Sequence, residues 1–387
     1  MRKLENIIIL DKETLQKLNK RVDKIAENFN EYHIDCEALH RVLGALIHEQ
    51  KLLRPTNVPK LIPIKKEELL AVTLDFFKSV DEEFYRKAID AILNQNERLK
   101  MRIYNAHTTP KSKEEDEHEI RVYSESPCIS LNKGYASIFI PLQYRTPKKF
   151  ARKLLKDDEG TLDDLYTIVH EIAHTFDNDE DIIGPPTREE ILEGKEHERP
   201  YRATRELLAE VSSTGFEFLL TNYLLEKGLY SKSAIIEHEI DSIHSSVDKA
   251  RVLFAELSLL DIKKKKGEIT NDDIEELKKE QKMPVAYIRR MANRIINADK
   301  SPVYRNRYAV GGLLAQTLRT CYEENGVEPV KAYLKAAREC DFDKALSALG
   351  VTQKDEDLKK MVDTVKLRKK DLLEKRGYEI EQPGILL

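Results

Sequence analysis

The segment His170-Glu171-Ile172-Ala173-His174 sets two imidazoles four residues apart, with a carboxylate beside the first. On a helix that spacing puts both rings on one face, one turn apart, where they can reach a single ion. Nitrogen ligands at ~2.0–2.1 Å suit zinc. Glu171 is then placed to take a proton from a water that the metal acidifies. Two histidines leave such a site one protein ligand short, with water in the fourth position of a catalytic centre. Glu210 is the candidate third ligand, and Glu206, one turn earlier on the same predicted helix face, is its rival. A lone glutamate at either place is more often a solvated surface residue, because charged groups are rarely buried without a partner. With 10 His in 387 residues, composition yields on the order of 0.03 copies of the five-residue pattern. Two incidental histidines on a surface helix are therefore the weaker explanation.

The elements that must hold these groups read as helices. Thr161 can cap the first, with Asp164 three residues on in a capping-box position. Leu162, Leu165, Val169, Ile172 and Phe176 form its apolar stripe, and Asp177 ends it. The second runs from a Thr204 cap to a Lys227-Gly228 stop, with Leu207, Leu208, Val211 and Leu219 on its buried side. Upstream, Leu15, Leu18, Val22, Ile25 and Phe29 recur at helical spacing, and further helices are expected at Cys36–Leu53, Lys66–Val80 and Glu82–Ile103. The charged stretch Lys111–Glu119 reads as a loop and a boundary. Glu119–Ser124 and Ala136–Leu142 read as strands of a small antiparallel sheet, around a turn at Asn132, Lys133 and Gly134. Asp261–Lys282, with Gly267 near its start, reads as a solvated helix–turn–helix surface.

Composition narrows the class. Hydrophobic residues are 41% and charged residues 35%, which is globular and not disordered. The net charge of -4 gives no reason to expect a nucleic-acid partner. Cys36, Cys128, Cys321 and Cys340 are scattered, without metal-knuckle or redox spacing, as in a reducing compartment. The apolar run Ile7–Leu10 is too short for a signal-peptide core, and no segment approaches the ~20 apolar residues that span a membrane. A cytoplasmic location with no membrane partner is expected.

Several segments resemble one family. Leu165–His174, LYTIVHEIAH, looks like the zinc helix of the oligoendopeptidase F branch of the thimet-oligopeptidase group. Leu208–Leu220, LAEVSSTGFEFLL, is similar to its third-ligand helix, and Glu239–Leu257 and Tyr333–Val351 resemble later helices. The resemblance covers roughly Cys128 to Asp357. It implies that Glu210, and not Glu206, is the third ligand, with Glu217 at the place of a second glutamate. Tyr304–Gly311, YRNRYAVG, resembles the tyrosine-rich segment facing the metal. Three departures stand out. Ala173 replaces the usual glycine, the stretch from His174 to Glu210 is longer and contains Gly184-Pro185-Pro186, and Asn306 stands where a transition-state tyrosine is expected. Tyr304, Tyr308 or Asn306 is left to stabilise the oxyanion. The N-terminal part is much shorter than in typical members, which implies a more open cleft.

The expectation is a mainly α-helical metallopeptidase fold with a small antiparallel sheet beside the zinc helix. Residues 1–115 would form an N-terminal helical wall of the cleft and residues 116–387 the catalytic domain. One Zn²⁺ per chain would be held by His170, His174 and Glu210, with Glu171 as general base and Tyr304 and Tyr308 as candidate catalytic tyrosines. The strand through Tyr135, Ala136, Ser137 and Ile138 would pair with an extended peptide or protein substrate. Two other classes remain open: a metal-containing binding protein with weakened catalysis, and a protease dedicated to one protein target, of toxin or effector type. Glu171 argues against the first, because a purely structural zinc site needs no base.

Overall fold

The computed structural model describes residues 10–31, 62–93, 99–107, 113–116, 119–122, 128–132, 135–177, 202–280, 303–352 and 354–375, with 37, 40, 41, 43, 44, 292, 293 and 296 between them. The helices are α1 (Lys12–Glu31), α2 (Lys66–Val80), α3 (Glu82–Ile92), α4 (Lys148–Leu154), α5 (Leu162–Ala173), α6 (Arg202–Lys227), α7 (Lys232–Lys266), α8 (Asn271–Glu280), α9 (Val303–Asn325), α10 (Glu328–Arg338), α11 (Phe342–Ala348) and α12 (Asp355–Lys375). The strands are β1 (Ile64–Lys65), β2 (Leu99–Asn105), β3 (Lys113–Asp116), β4 (Glu119–Val122), β5 (Cys128–Asn132), β6 (Tyr135–Leu142) and β7 (Glu159–Gly160). The protein is mainly α-helical, with a small sheet whose strand β6 packs on α5. Among the described residues no helix is long and apolar enough to cross a membrane.

The sheet departs from the sequence reading in three places. The helix expected over Glu82–Ile103 stops at Ile92, and Leu99–Asn105 is a strand. Leu99 and Met101 are buried while Lys100 between them is exposed, a period of two that a helix cannot produce. The expected loop at Lys111–Glu119 holds β3, which pairs with β4 and sets Glu114 opposite Arg121. Glu119–Val122 therefore does not pair with β6. That place is taken by β5, antiparallel, while β2 adds on the other side in parallel, giving the order β2-β6-β5.

The helical expectations fare better. α1 buries Leu18 and Val22, and Asn19 clips it to the turn after α7 by bonding both backbone groups of Ile269, at 2.8 and 3.0 Å. α7 ends at Gly267, whose φ of +86° is a left-handed conformation suited to glycine, and α8 follows. α6 stops at Gly228 as expected, but it starts at Arg202, so Thr204 lies inside the first turn instead of capping it. The expected helix Cys36–Leu53 and the Gly184-Pro185-Pro186 stretch fall largely or wholly outside the described residues.

The core fixes the histidine helix from both ends. Five phenylalanines from four regions meet beyond its C-terminus. Phe84 of α3 stacks on Phe176 at 4.8 Å, and Phe77 of α2 and Phe216 of α6 each meet Phe176 edge-on at 5.2 Å, while Phe76 adjoins Phe77 at 5.0 Å. Edge-on and stacked pairs of this kind stabilise by about 0.5–1.5 kcal/mol each beyond burial. Helices α2 and α3 thus share one core with α5 and α6.

At the other end of α5 the Asp164 carboxylate accepts from the backbone N–H of Thr161 at 2.7 Å and of Gln143 at 2.9 Å. Burial lifts Asp164 to about 6 against the pull of these donors. Gly160 makes this entry possible, since a Cβ there would lie 2.8 Å from Leu69 and 3.0 Å from the Asp164 carboxylate. Helix α9 lies close against α7, where a Cβ on Gly312 would sit 2.3 Å from the Ser246 hydroxyl.

Candidate metal centre

The helical spacing brings His170 and His174 to one face of α5, and their Nε2 atoms lie 3.2 Å apart. Two nitrogens bound to one tetrahedral zinc at ~2.0–2.1 Å would be about 3.3 Å apart. Glu210, on α6, brings Oε2 to 3.7 Å from His170 Nε2. One ligand atom from each of the three side chains lies within 4.8 Å of the others. Two imidazole nitrogens and a carboxylate oxygen form the donor set of a catalytic zinc site, so these residues fit a metal ion. Glu206 is not part of the group.

The charges around the site fit the same conclusion. Burial alone would depress His170, but Glu217, Glu171 and Glu210 carry it up to about 9. The field that retains a proton there would also favour a cation. Glu217 accepts a hydrogen bond from His170 Nδ1 at 2.6 Å, which directs Nε2 toward His174 and Glu210. Burial would raise Glu217, yet His170 and His238 pull it far below the ordinary carboxylate range. Glu171 is buried, and burial lifts it to about 7, with His170 opposing and Glu210 and Glu217 adding to the rise. It follows His170 directly on α5.

No family model and no curated protein matches the sequence. Solved structures do match. The Chlamydophila abortus chain described as a "putative peptidase" superposes with a TM-score of 0.53 at 14% identity, covering 95% of this chain and 56% of that one. The two share a fold. A structure from Bacillus anthracis described as a "putative oligoendopeptidase F" matches with a TM-score of 0.45 at 12% identity, over 95% of this chain and 58% of its own. One from Enterococcus faecium has a TM-score of 0.43 at 16% identity, over 98% and 55%. The chain thus spans a little over half the length of each structure that it matches.

The remaining expected residues are placed less favourably. Tyr308 lies on α9, half-buried, with the Lys249 ammonium 4.0 Å from its ring centroid. The side chains of Tyr304 and Asn306, like those of Tyr135, Ala136 and Ser137, fall outside the described residues. Ile138 is fully buried. The expected pairing of a substrate with Tyr135–Ile138 is corrected by the sheet. β6 is the central strand, and Ala136, Ser137 and Ile138 are paired with β2 on one side and β5 on the other. Its backbone groups there have no open edge to offer.

His238 and Asp163 went unread in the sequence. His238, on α7, donates from Nδ1 to Asp163 Oδ1 at 2.8 Å and turns Nε2 toward Glu217 Oε2 at 3.8 Å. One signal was legible: Asp163, Tyr166 and His170 fall at helical spacing on α5 and so share a face. His238 carried none, because a lone histidine on a long helix is ordinarily a packing residue.

Proposed function

We propose that the protein is a zinc-dependent peptidase, with His170, His174 and Glu210 holding the ion. The convergence of these three donors, with Nε2 atoms 3.2 Å apart and Glu171 adjoining, carries the reading. Zinc held there would acidify a water and polarise the scissile carbonyl. Glu171 takes the water proton and later delivers it to the leaving amine. Glu217 keeps His170 aimed. Tyr308, on the helix beside Glu210, is the described candidate to support the oxyanion. The shared fold with a "putative peptidase" agrees with this reading.

The substrate is proposed to be an oligopeptide or an exposed protein segment. An extended substrate would pair with an outer edge of the sheet, on β2 or β5, in place of β6. Residues 1–115 are proposed to wall one side of the cleft. The deciding experiment is Glu171→Gln, because an amide cannot accept the water proton at neutral pH. Peptide hydrolysis should fall at least ~100-fold, with one zinc per chain retained by metal analysis. Unchanged turnover in the zinc-loaded variant would overturn this mechanism, and a wild-type protein that binds no zinc would overturn the metal site.

A further inference from the structure

Behind the ligand histidines lies a connected row of side chains that hydrolysis itself does not use. Only one Glu217 oxygen is engaged by His170. The other faces His238 Nε2 at 3.8 Å, an ion-pair distance and not a hydrogen bond. His238 is anchored on its far side by Asp163 at 2.8 Å. Its ring lies flat on Tyr166, with centroids 3.6 Å apart and planes 14° apart, and the Tyr166 hydroxyl is tied to Thr221 at 2.8 Å. Asp163 and Tyr166 come from the ligand helix α5, and Glu217 and Thr221 come from α6. The imidazole of α7 is thus boxed by the two helices that carry the metal ligands.

We propose that His238 is a positioning residue for the ligand His170, acting through Glu217, with Asp163 setting the orientation of His238. The proposal rests on the metal-site reading above. A carboxylate that grips a ligand through one oxygen can still pivot about its own side-chain bonds. Opposite charge at the second oxygen removes that freedom. With both ring nitrogens facing carboxylates, His238 carries the charge that does so, and the aromatic stack leaves the ring one orientation. Groups behind a ligand commonly alter metal affinity by about 10–100-fold when removed. His238 acts at one remove, so the lower end of that range applies.

The test uses the full chain, stripped with a chelator and titrated with zinc against a chromophoric competitor, and with Co²⁺ followed by visible absorption. His238→Phe keeps the ring on Tyr166 and removes both nitrogens. It should weaken zinc by about 10-fold and shift the Co²⁺ bands. Glu217→Gln should weaken zinc by about 10–100-fold, and adding His238→Phe to it should change affinity less than about twofold, since the link is already cut. Should His238→Phe fail to fold, the Asp163 pair decides. Asp163→Ala should weaken zinc severalfold, and Asp163→Asn, which keeps an acceptor oxygen, should restore it.

Wild-type metal binding with His238→Phe unaffected would overturn the positioning role while leaving the metal site standing. A full tenfold loss on top of Glu217→Gln, or Asp163→Ala binding zinc as tightly as wild type, would do the same. A wild-type chain that binds neither metal would overturn both.

Discussion

His238 and Glu239 are neighbours in sequence, about 100° apart around α7, and the two sides treat buried charge differently. On one, Glu217 meets two imidazoles. On the other, Glu239 is fully buried and meets two guanidinium groups, Arg319 at 2.8 Å and Arg368 through Nε and Nη2, each at 2.7 Å. A guanidinium stays charged at any relevant pH and grips a carboxylate with two parallel bonds. That side is a closed lock joining α7, α9 and α12. An imidazole can change its proton count and can bind a metal with one nitrogen while donating with the other. Buried carboxylates thus hold a fixed charge where arginine faces them and a changeable one where histidine does.

The comparison can be broken most sharply on the arginine side. Arg368→Met should destabilise the fold by about 3–5 kcal/mol, because Glu239 is left buried with half its partners. Urea titration of the variant checks this, and the zinc content of the folded fraction should be unchanged. A loss under about 1 kcal/mol would mean that Arg319 suffices alone and that the lock is not cooperative.

A smaller effect is expected at Asp164, a buried carboxylate satisfied by backbone donors instead of a cation. Asp164→Ala removes its bonds to Thr161 and Gln143 and should cost about 1–2 kcal/mol, the range of helix-cap losses. Thermal unfolding measures it. Equal stability would show that the cap of α5 is held by packing alone.

A pH-dependent effect belongs to Asp177, which is buried with the Ser212 hydroxyl at 2.8 Å on one oxygen and, among the described residues, no hydrogen bond on the other. Burial lifts it from 3.8 to about 7. The folded state therefore holds a proton that the unfolded chain has released. The stabilisation is complete below about pH 4 and is lost as pH rises toward 7. Asp177→Asn should gain stability relative to wild type at pH 8 and show no gain near pH 4, as denaturant midpoints at the two values would record. A difference that does not depend on pH would remove Asp177 from the comparison.

How much of this was legible in the sequence follows from the range of the interactions. The spacing of His170 and His174 is local, so the helix and the meeting of its two imidazoles could be read directly. Glu210 needed the resemblance, since nothing local separates it from Glu206. The cap at Asp164 and the stop at Gly228 are short-range and were legible, whereas Thr204 was read as a cap because propensity does not see where packing begins a helix. The parallel pairing of β2 with β6 is long-range, and a strand after a helix is easily absorbed into the helical pattern. His238 and the Arg319–Glu239–Arg368 lock join distant segments, and no periodicity announces them.

Gln143 ends β6 in a left-handed conformation, with φ of +64°. Its backbone N–H reaches Asp164 at 2.9 Å, and its side-chain amide reaches the carbonyls of Lys156 and Glu159, each at 2.7 Å. The excursion through α4 is therefore tied off at its neck. A tied excursion can be lengthened at little entropic cost, since closure grows only with the logarithm of loop length. The exposed end of α4 at Lys153 and Leu154 lies inside that excursion and is accordingly a natural graft point, where an inserted reporter or affinity peptide would hang outside the knot and leave the histidine helix where it stands.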